Sequence, residues 1–557
     1  MLKGHARKAC LLLALAMVVS AATGCKKSPA GTSGGKSSGY TSGNSWEADK
    51  SPITLSIFFD TSGDMDKVWG KDAVSKQFIA DTGVNIQFSF APDKDHTKLS
   101  ALIASGSMPD MIYASDDLTQ DLAKYNQIYA LNELSKKYNT NFMNRIDSKA
   151  ILNKRMKWDS NNLYMSPVYQ ISQKDMNKEW NVKNITGIAV IDSVYKAVGS
   201  PKLKTTDDLT ALLKKVKQQY PDMIPAQANR NSGVDTDGNP RLVSKLLPMA
   251  DLAGRYYKDS SGNYHKYWEN ADFLTLLKFC NELYNDGLID KSEFTQTKAQ
   301  LNAKEYPGKV FADLSQDANN IDWFNSELHK TKPNENWIMI DTPAIKSDMK
   351  YASDSVNGGK PDASGLMVTK SCKHPDRAIR WLDYMYTDKA QISIIFGVEG
   401  QGYTLKDGSP VATQNSIDSY NKNIDECKQT YGIDEYYNFR TGDWAPLWNY
   451  QTASQQQKDA FKVTASYYTD LSQYTSAADN FPANSDEQKA FANIKEYYST
   501  AIMKVLTTSP GNVTTEYNKM IAQMKTLGLE KLNKYWTDYY KNQAVQEKKY
   551  SAGLSLK

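Results

Sequence analysis

Apolar and polar positions change period several times along the chain, and the changes mark its elements. Residues 53–59 (ITLSIFF) form a β-branched and aromatic run that stops at Asp60-Thr61-Ser62-Gly63, which predicts a strand followed by a turn. Residues 71–82 predict a helix, 84–90 (VNIQFSF) a second strand and 97–104 a second helix. The break at 106–109 then leads into Asp110-Met111-Ile112-Tyr113, a third strand. Strands alternating with helices imply βαβ units and a largely parallel sheet. Ligands of such sheets sit at the carboxyl ends of the strands, which makes Asp60 and Ser115 candidates by position.

Helical spacing dominates further on. Phe273, Leu276, Leu277, Cys280, Leu283 and Tyr284 recur at intervals of three and four, one apolar face of a helix over 271–286 that Gly287 stops. Cys280 on that face reads as a small buried hydrophobe. Upstream, Asp259-Ser260-Ser261-Gly262-Asn263 between aromatic flanks predicts a hairpin within 256–267. Pro375 opens another helix, and Thr387 can cap a further one that ends at Gly397. Ser485-Asp486-Glu487-Gln488 is a capping box before a helix reaching about residue 507, and two more helical stretches follow over 515–527 and 529–546. The carboxy-terminal quarter is thus mostly helical. No repeat of fixed period and no single Gly/Pro linker divides the chain after Lys50, so its lobes are expected to be built from discontinuous segments.

The start of the chain follows a different logic. Lys3, Arg7 and Lys8 precede an apolar run over 9–22, too short to span a membrane, that ends in Ala22-Thr23-Gly24-Cys25. Residues 1–24 therefore read as an export signal cleaved before Cys25. Residues 26–50 (KKSPAGTSGGKSSGYTSGNSWEADK) hold too little apolar surface to fold and read as a tether with a reach of about 25–30 Å. Two apparent motifs in it, Gly31-Thr32-Ser33-Gly34-Gly35 and Gly35-Lys36-Ser37, lack the strand and helix that a nucleophile elbow or a phosphate loop needs.

This layout changes the meaning of the composition. The 557 residues carry a formal charge of +4, too small an excess to argue for nucleic acid, and three of the positive charges belong to the export segment. With 40% hydrophobic residues the body excludes both disorder and a multispan channel, and its length calls for more than one core.

Catalytic and metal chemistry find little support. The histidines at 96, 265, 329 and 374 are dispersed, and no C-x-x-C or H-E-x-x-H occurs. Asp235-Thr236-Asp237-Gly238-Asn239 clusters oxygen donors, yet it lacks the twelve-residue calcium loop with its terminal glutamate and reads first as an Asp-Gly turn. With Cys25 set aside, Cys280, Cys372 and Cys427 can form one disulfide at most. Acidic pairs such as Asp116-Asp117 and Asp207-Asp208 do not by themselves make a glycosidase. The expectation is a protein that is not an enzyme and needs no cofactor, with calcium at the Asp235–Asn239 turn as the alternative.

The aromatic residues say more. Trp158, Tyr164, Trp323, Tyr403, Trp444 and Trp448 sit beside polar or glycine-containing segments rather than on apolar stripes. Sugar rings stack their C–H faces on aromatic planes while their hydroxyls seek polar partners, so such residues suit a carbohydrate; packing in the interior is the competing role for each. The expected substrate contacts are Trp323 and Trp444 as stacking platforms, Tyr164 and Tyr403 as stacking and hydroxyl partners, and Asp60, Ser115 and Glu399 as hydrogen-bonding groups.

Several segments carry a resemblance. Ala104-Ser105-Gly106-Ser107-Met108-Pro109-Asp110 resembles the ASGxxPD segment of extracellular solute-binding proteins of ABC importers. Tyr129-Ala130-Leu131-Asn132-Glu133-Leu134, Asn161–Pro167 (NNLYMSP) and Leu283–Asp290 (LYNDGLID) are similar to blocks that follow it in that family. Gly397-Val398-Glu399-Gly400-Gln401-Gly402-Tyr403-Thr404-Leu405-Lys406-Asp407-Gly408 resembles the GxEGxxYxxxDG block of its large LipO-like lipoproteins from Gram-positive bacteria. Ala22-Thr23-Gly24-Cys25 resembles their lipobox, with Ala22 where leucine is usual.

The resemblance implies an α/β, two-lobed periplasmic-binding-protein-like fold with discontinuous lobes, a hinge, an interlobe ligand cleft and a helical carboxy-terminal region. Lobe 1 is expected to comprise roughly 51–165 plus 305–370, and lobe 2 roughly 166–304 plus 371–557. It implies a monomer held on the outer face of the cell membrane by acylated Cys25, binding an oligosaccharide and passing it to an ABC permease heterodimer with a cytoplasmic ATPase. Some members bind calcium through a full acidic loop. A peptide receptor of the same architecture and a surface polysaccharide-degrading enzyme are the alternatives.

Overall fold

The computed structural model describes residues 45–60, 69–91, 96–168, 180, 186–228, 234–352, 364–442, 444–467, 476–482 and 484–556. The expected export segment, Cys25 and most of the expected tether lie outside these residues. The strands are β1 (Ile53–Phe59), β2 (Val84–Phe90), β3 (Met111–Ser115), β4 (Ser166–Pro167), β5 (Thr186–Ile191), β6 (Ile224–Gln227), β7 (Tyr256–Lys258), β8 (Tyr264–Lys266), β9 (Val310–Asp317), β10 (Trp337–Ile340), β11 (Ser364–Val368), β12 (Tyr403–Lys406) and β13 (Ser409–Ala412).

Two compact units share the chain. The first takes Met1–Ser172, Gly359–Gln451 and Glu547–Lys557; the second takes Gln173–Gly358 and Thr452–Gln546. The units are discontinuous, as expected, but their segments differ from the expected ones. Residues 305–358 belong to the second unit because β9 pairs with β5 on one side and β6 on the other. Residues 371–451 belong to the first, where Arg377 donates to the carbonyls of Ser51 and Thr82, and Arg145 pairs with Asp383. Long-range pairing of this kind leaves no local trace in a sequence.

The first unit is built on a sheet of order β2-β1-β3-β11-β4. Asp72 accepts from the Ser75 amide to cap the helix Ala73–Thr82, and Gly83 ends it at φ 71° before β2 begins. A side chain at Gly83 would meet the Lys50 carbonyl at 2.2 Å, so only glycine can make this reversal. β1 runs parallel to β2 and β3, which brings their carboxyl ends to one edge; β11 runs antiparallel to β3, and β4, antiparallel to β11, returns to the direction of β1.

The second unit departs from the expected parallel sheet. In the order β10-β5-β9-β6 only β6 and β9 are parallel, and β5 is antiparallel to both neighbours. The helices Asp192–Ala197, Thr206–Gln219, Arg241–Leu246, Ile321–His329 and Gln455–Thr464 pack on its strands, and Ala271–Asn285, Asp486–Thr507 and Val513–Thr526 pack on one another in the same unit. Asn281, within the apolar stripe of Ala271–Asn285, donates to the carbonyls of Val505, Leu506 and Thr508, satisfying acceptors that the end of Asp486–Thr507 would otherwise bury unpaired. Ser485 caps that helix by accepting from the Gln488 amide, but Gln488 reaches back to the Asn484 amide rather than closing the box on Ser485. Cys280, Cys372 and Cys427 are free thiols, all buried, and burial pushes the Cys280 thiol up to about 12. Among the described residues no helix is long and apolar enough to cross a membrane.

Candidate ligand-binding residues

The seven residues expected at the site fall into three groups. The first group, Asp60 and Ser115 with the half-buried Trp444 and Tyr164, belongs to the first unit, and its two polar members stand at the carboxyl edge of that unit's sheet. Asp60 follows the last residue of β1, and its amide donates to the Tyr113 carbonyl of β3 at 2.9 Å. Its buried carboxylate pairs with Nδ1 of His96, whose backbone is left-handed at φ 61° and whose ring is partly open to solvent. Ser115 closes β3 and begins the helix Asp116–Lys124 without its hydroxyl capping that helix. Asp60 and Ser115 thus end adjacent parallel strands, as the βαβ reading anticipates, and His96 joins Asp60 from 36 residues away in sequence. Nothing in the local pattern around His96 announces the pairing.

Beneath this edge lies an aromatic floor. Phe59 stacks on Tyr113 and Phe90 at 4.9 and 5.4 Å, and Phe439 closes on it at 6.0 Å. The chain continues from Phe439 through Thr441, whose amide donates to Gln391, to Trp444, half-buried at the margin of the same core. Tyr164, also half-buried, has its hydroxyl hydrogen-bonded to Asn162, which Asn132 holds in turn, and its ring meets Trp158 edge-on.

The second group is the turn leading into β12, and in it Tyr403 is structural. Tyr403 is only 2% exposed, packed edge-on against Phe396, so it has no face to offer a sugar ring. Burial, and then the charge of Glu399, push its hydroxyl above the usual tyrosine range. Glu399 itself is exposed on the turn that precedes β12, where the Gly400 amide donates to the Tyr403 carbonyl and the Gly402 amide to that of Val398. A side chain at Gly402 would stand 1.9 Å from the Phe396 carbonyl. The hairpin that follows, β12 to β13, turns on Asp407 and Gly408, both at positive φ, an Asp-Gly signal that the sequence carries openly.

The third group is Trp323 in the second unit. It lies on the helix Ile321–His329, is 48% exposed, and stands edge-on between Tyr306 and Phe324 with ring centroids 5.1 and 5.0 Å away. Asp322 beside it is fixed by Ser454 and Gln457 at the start of the helix Gln455–Thr464, which holds this turn of helix in place.

Burial also corrects the reading of aromatic richness. Of the eleven tryptophans, only Trp323 is exposed and only Trp180 and Trp444 are intermediate; Trp158 and Trp448 are in the core. Most of the indole content therefore builds the interior. Among the described residues no group of three or more His, Cys, Asp or Glu side chains is arranged to hold a metal ion.

Comparison with known proteins agrees with this architecture. The profile of the bacterial extracellular solute-binding protein family matches residues 68–392. The fructooligosaccharide ABC transporter substrate-binding protein FusA of Streptococcus pneumoniae is 24% identical over 58% of this chain and 58% of its own length. Lipoprotein LipO of Bacillus subtilis is 22% identical over 62% of this chain and 65% of its own length. The chain thus matches less than two thirds of the length of either relative. Among solved structures, an HMO-binding ABC-transporter-associated solute-binding protein from Bifidobacterium longum infantis covers 88% of this chain and 99% of its own, with a TM-score of 0.58 at 15% identity, a likeness of fold. The chain belongs to the bacterial extracellular solute-binding protein family.

Proposed function

We propose that this protein captures an oligosaccharide outside the cell and delivers it to an ABC permease pair driven by a cytoplasmic ATPase, anchored meanwhile to the membrane through acylated Cys25. It acts as a binding protein rather than an enzyme. The observation that carries the reading is Trp323: an indole left 48% exposed and steadied by Tyr306 and Phe324 presents a rigid apolar plane to solvent. A ring face held open in this way is available to stack on the apolar face of a ligand. In the first unit Trp444 and Tyr164 supply further aromatic surface, and Asp60, with His96 beside it, and Ser115 supply polar groups at the strand ends. FusA, a fructooligosaccharide-binding relative, supports a carbohydrate ligand, and the name of LipO supports a lipid anchor.

Transport follows if ligand contacts are better satisfied in one arrangement of the protein than in another, because only that difference can bias which form meets the permease. The deciding experiment is a thermal-shift panel of neutral and acidic oligosaccharides and of extended peptides, followed by calorimetry on the hits. Saturable stabilisation by an oligosaccharide is expected. Stabilisation by peptides alone would transfer the reading to a peptide receptor, and release of reducing ends from a polysaccharide would make it an enzyme. Cys25→Ser is expected to abolish palmitate labelling and release the protein from the membrane fraction.

A further inference from the structure

The loop Asp235–Asn239 gathers oxygen donors as a calcium loop would, yet the side-chain oxygens of Asp235, Asp237 and Asn239 are already taken. Asp235 Oδ1 accepts from the amides of Asp237 and Asn239, both at 2.9 Å, and Oδ2 accepts from Asn239 Nδ2 and Arg255 Nη1, both at 2.9 Å. Asp237 Oδ2 accepts from Arg255 Nη1 at 2.6 Å, and its Oδ1 lies 2.9 Å from Lys266 Nζ. Asn239 Oδ1 accepts from the Tyr498 hydroxyl at 2.6 Å. A calcium loop also needs glycine at its sixth position and a bidentate glutamate at its twelfth. Counted from Asp235, those places hold Pro240 and Leu246, the latter fully buried. The donor set does not fit a calcium ion.

Two cations of the chain's own stand there instead. Lys266 is almost wholly enclosed: the rings of Tyr256, Phe491, Trp268 and Trp536 surround its ammonium at 4.9–5.5 Å, and Asp479 pairs with it beside Asp237. Trp536 Nε1 and the Tyr256 hydroxyl both donate to Asp479, so the second carboxylate is itself held. Burial acts to raise the Asp237 carboxyl, but Lys266 and Arg255 outweigh it and hold the group below its ordinary value, so it is ionised at neutral pH.

We infer that Arg255 and Lys266 are built-in cations that replace a divalent ion at this loop, tying it to the β7–β8 hairpin and to the helices Asp486–Thr507 and Leu529–Tyr550 so that the second unit holds together independently of calcium. A fixed cation arrives with folding, whereas a bound ion stabilises only when its free concentration exceeds its dissociation constant, and then as the logarithm of that ratio. The aromatic cage suits an ammonium, since a ring face attracts a partly desolvated cation. The arrangement is costly to break from one side, because removing either cation leaves a buried carboxylate uncompensated.

The test uses the purified full chain and no sugar, so its outcome is separate from that of the ligand reading. Thermal unfolding in EDTA and in millimolar calcium chloride is expected to give coincident midpoints, and calorimetric titration with calcium chloride no saturable heat. A saturable heat together with a midpoint raised by calcium overturns the inference. Lys266→Met and Arg255→Ala are expected to lower the midpoint in EDTA on the order of 10 °C; midpoints equal to that of the unaltered protein would equally overturn it. Should either variant fail to fold, the calcium titration of the unaltered protein still decides.

Discussion

The turn from Gly397 to Gly408 and the helix Ile321–His329 differ in an instructive way. The turn is the most recognisable block in the sequence, and almost all of it is devoted to structure: glycines at positive φ, a buried Tyr403, and a backbone approach that excludes any side chain at Gly402. The helix carries no motif, yet it displays Trp323, the single exposed tryptophan. A pattern that can be recognised from residue types alone is often one that backbone geometry dictates, because glycine and turn chemistry are local. A surface that binds by shape and exposure is set by long-range packing and leaves no such signature.

The sharpest test of this contrast is Gly402→Ala. The new methyl would lie 1.9 Å from the Phe396 carbonyl, and Gly402's own carbonyl already accepts from the Thr413 amide and the Ser416 hydroxyl, so the turn has little room to yield. A loss of about 3 kcal/mol or more is expected in denaturant unfolding of the first unit. A variant as stable as the parent would show that the block is not the structural device described.

A second handle acts on the other unit. Glu293 is buried and accepts from the Ala228 amide and from Gln296. Burial raises its carboxyl to about 7, and the neighbouring charges of Asp313 and Asp290 add to the rise. The unfolded chain releases this proton near 4.5, while the folded chain holds it to about 7. The contribution is therefore most favourable below about 4.5 and declines as pH rises through about 7, by up to about 3 kcal/mol in all. Glu293→Gln should flatten that decline in melts taken between pH 4 and 8. An unchanged slope would mean that Glu293 ionises normally.

Trp323→Ala should do the reverse of Gly402→Ala, leaving stability nearly intact and weakening sugar binding. One lost stacking contact is worth about 0.5–1.5 kcal/mol, tenfold or less in affinity. Calorimetry on an oligosaccharide hit checks it, and an unchanged affinity removes Trp323 from the site.

How far the fold could be read from the sequence follows the same division. The strands and helices around 53–115 appear nearly where their periods put them, and so do the hairpin near Asp259 and the caps at Thr387 and Ser485, because turn residues, caps and amphipathic spacing act over a few residues. The unit boundaries were not legible, since β9 joins β5 across more than a hundred residues. At the candidate site, Asp60 and Ser115 could be placed by the strand-end rule, but the pairing of Asp60 with His96 could not. Tyr403 and Trp448 show the limit most clearly: polar neighbours in sequence do not keep a ring out of the core when the chain folds back over it, as Phe396 and Tyr420 do here.

The smallest expected effect is also the most discriminating. Glu399 is exposed on the turn whose bonds run through the backbone of Val398, Gly400, Gly402 and Tyr403, so Glu399→Gln removes a charge without touching the scaffold. Affinity for an oligosaccharide should change by no more than about twofold, about 0.4 kcal/mol. Tyr403→Phe should behave alike for affinity, since its ring stays packed on Phe396 and only its hydroxyl is lost. A loss of tenfold or more in either variant, with an unaltered melting midpoint, would make the glycine-rich block a ligand contact after all, and would mean that this family's most recognisable segment is read by the sugar as well as by the fold.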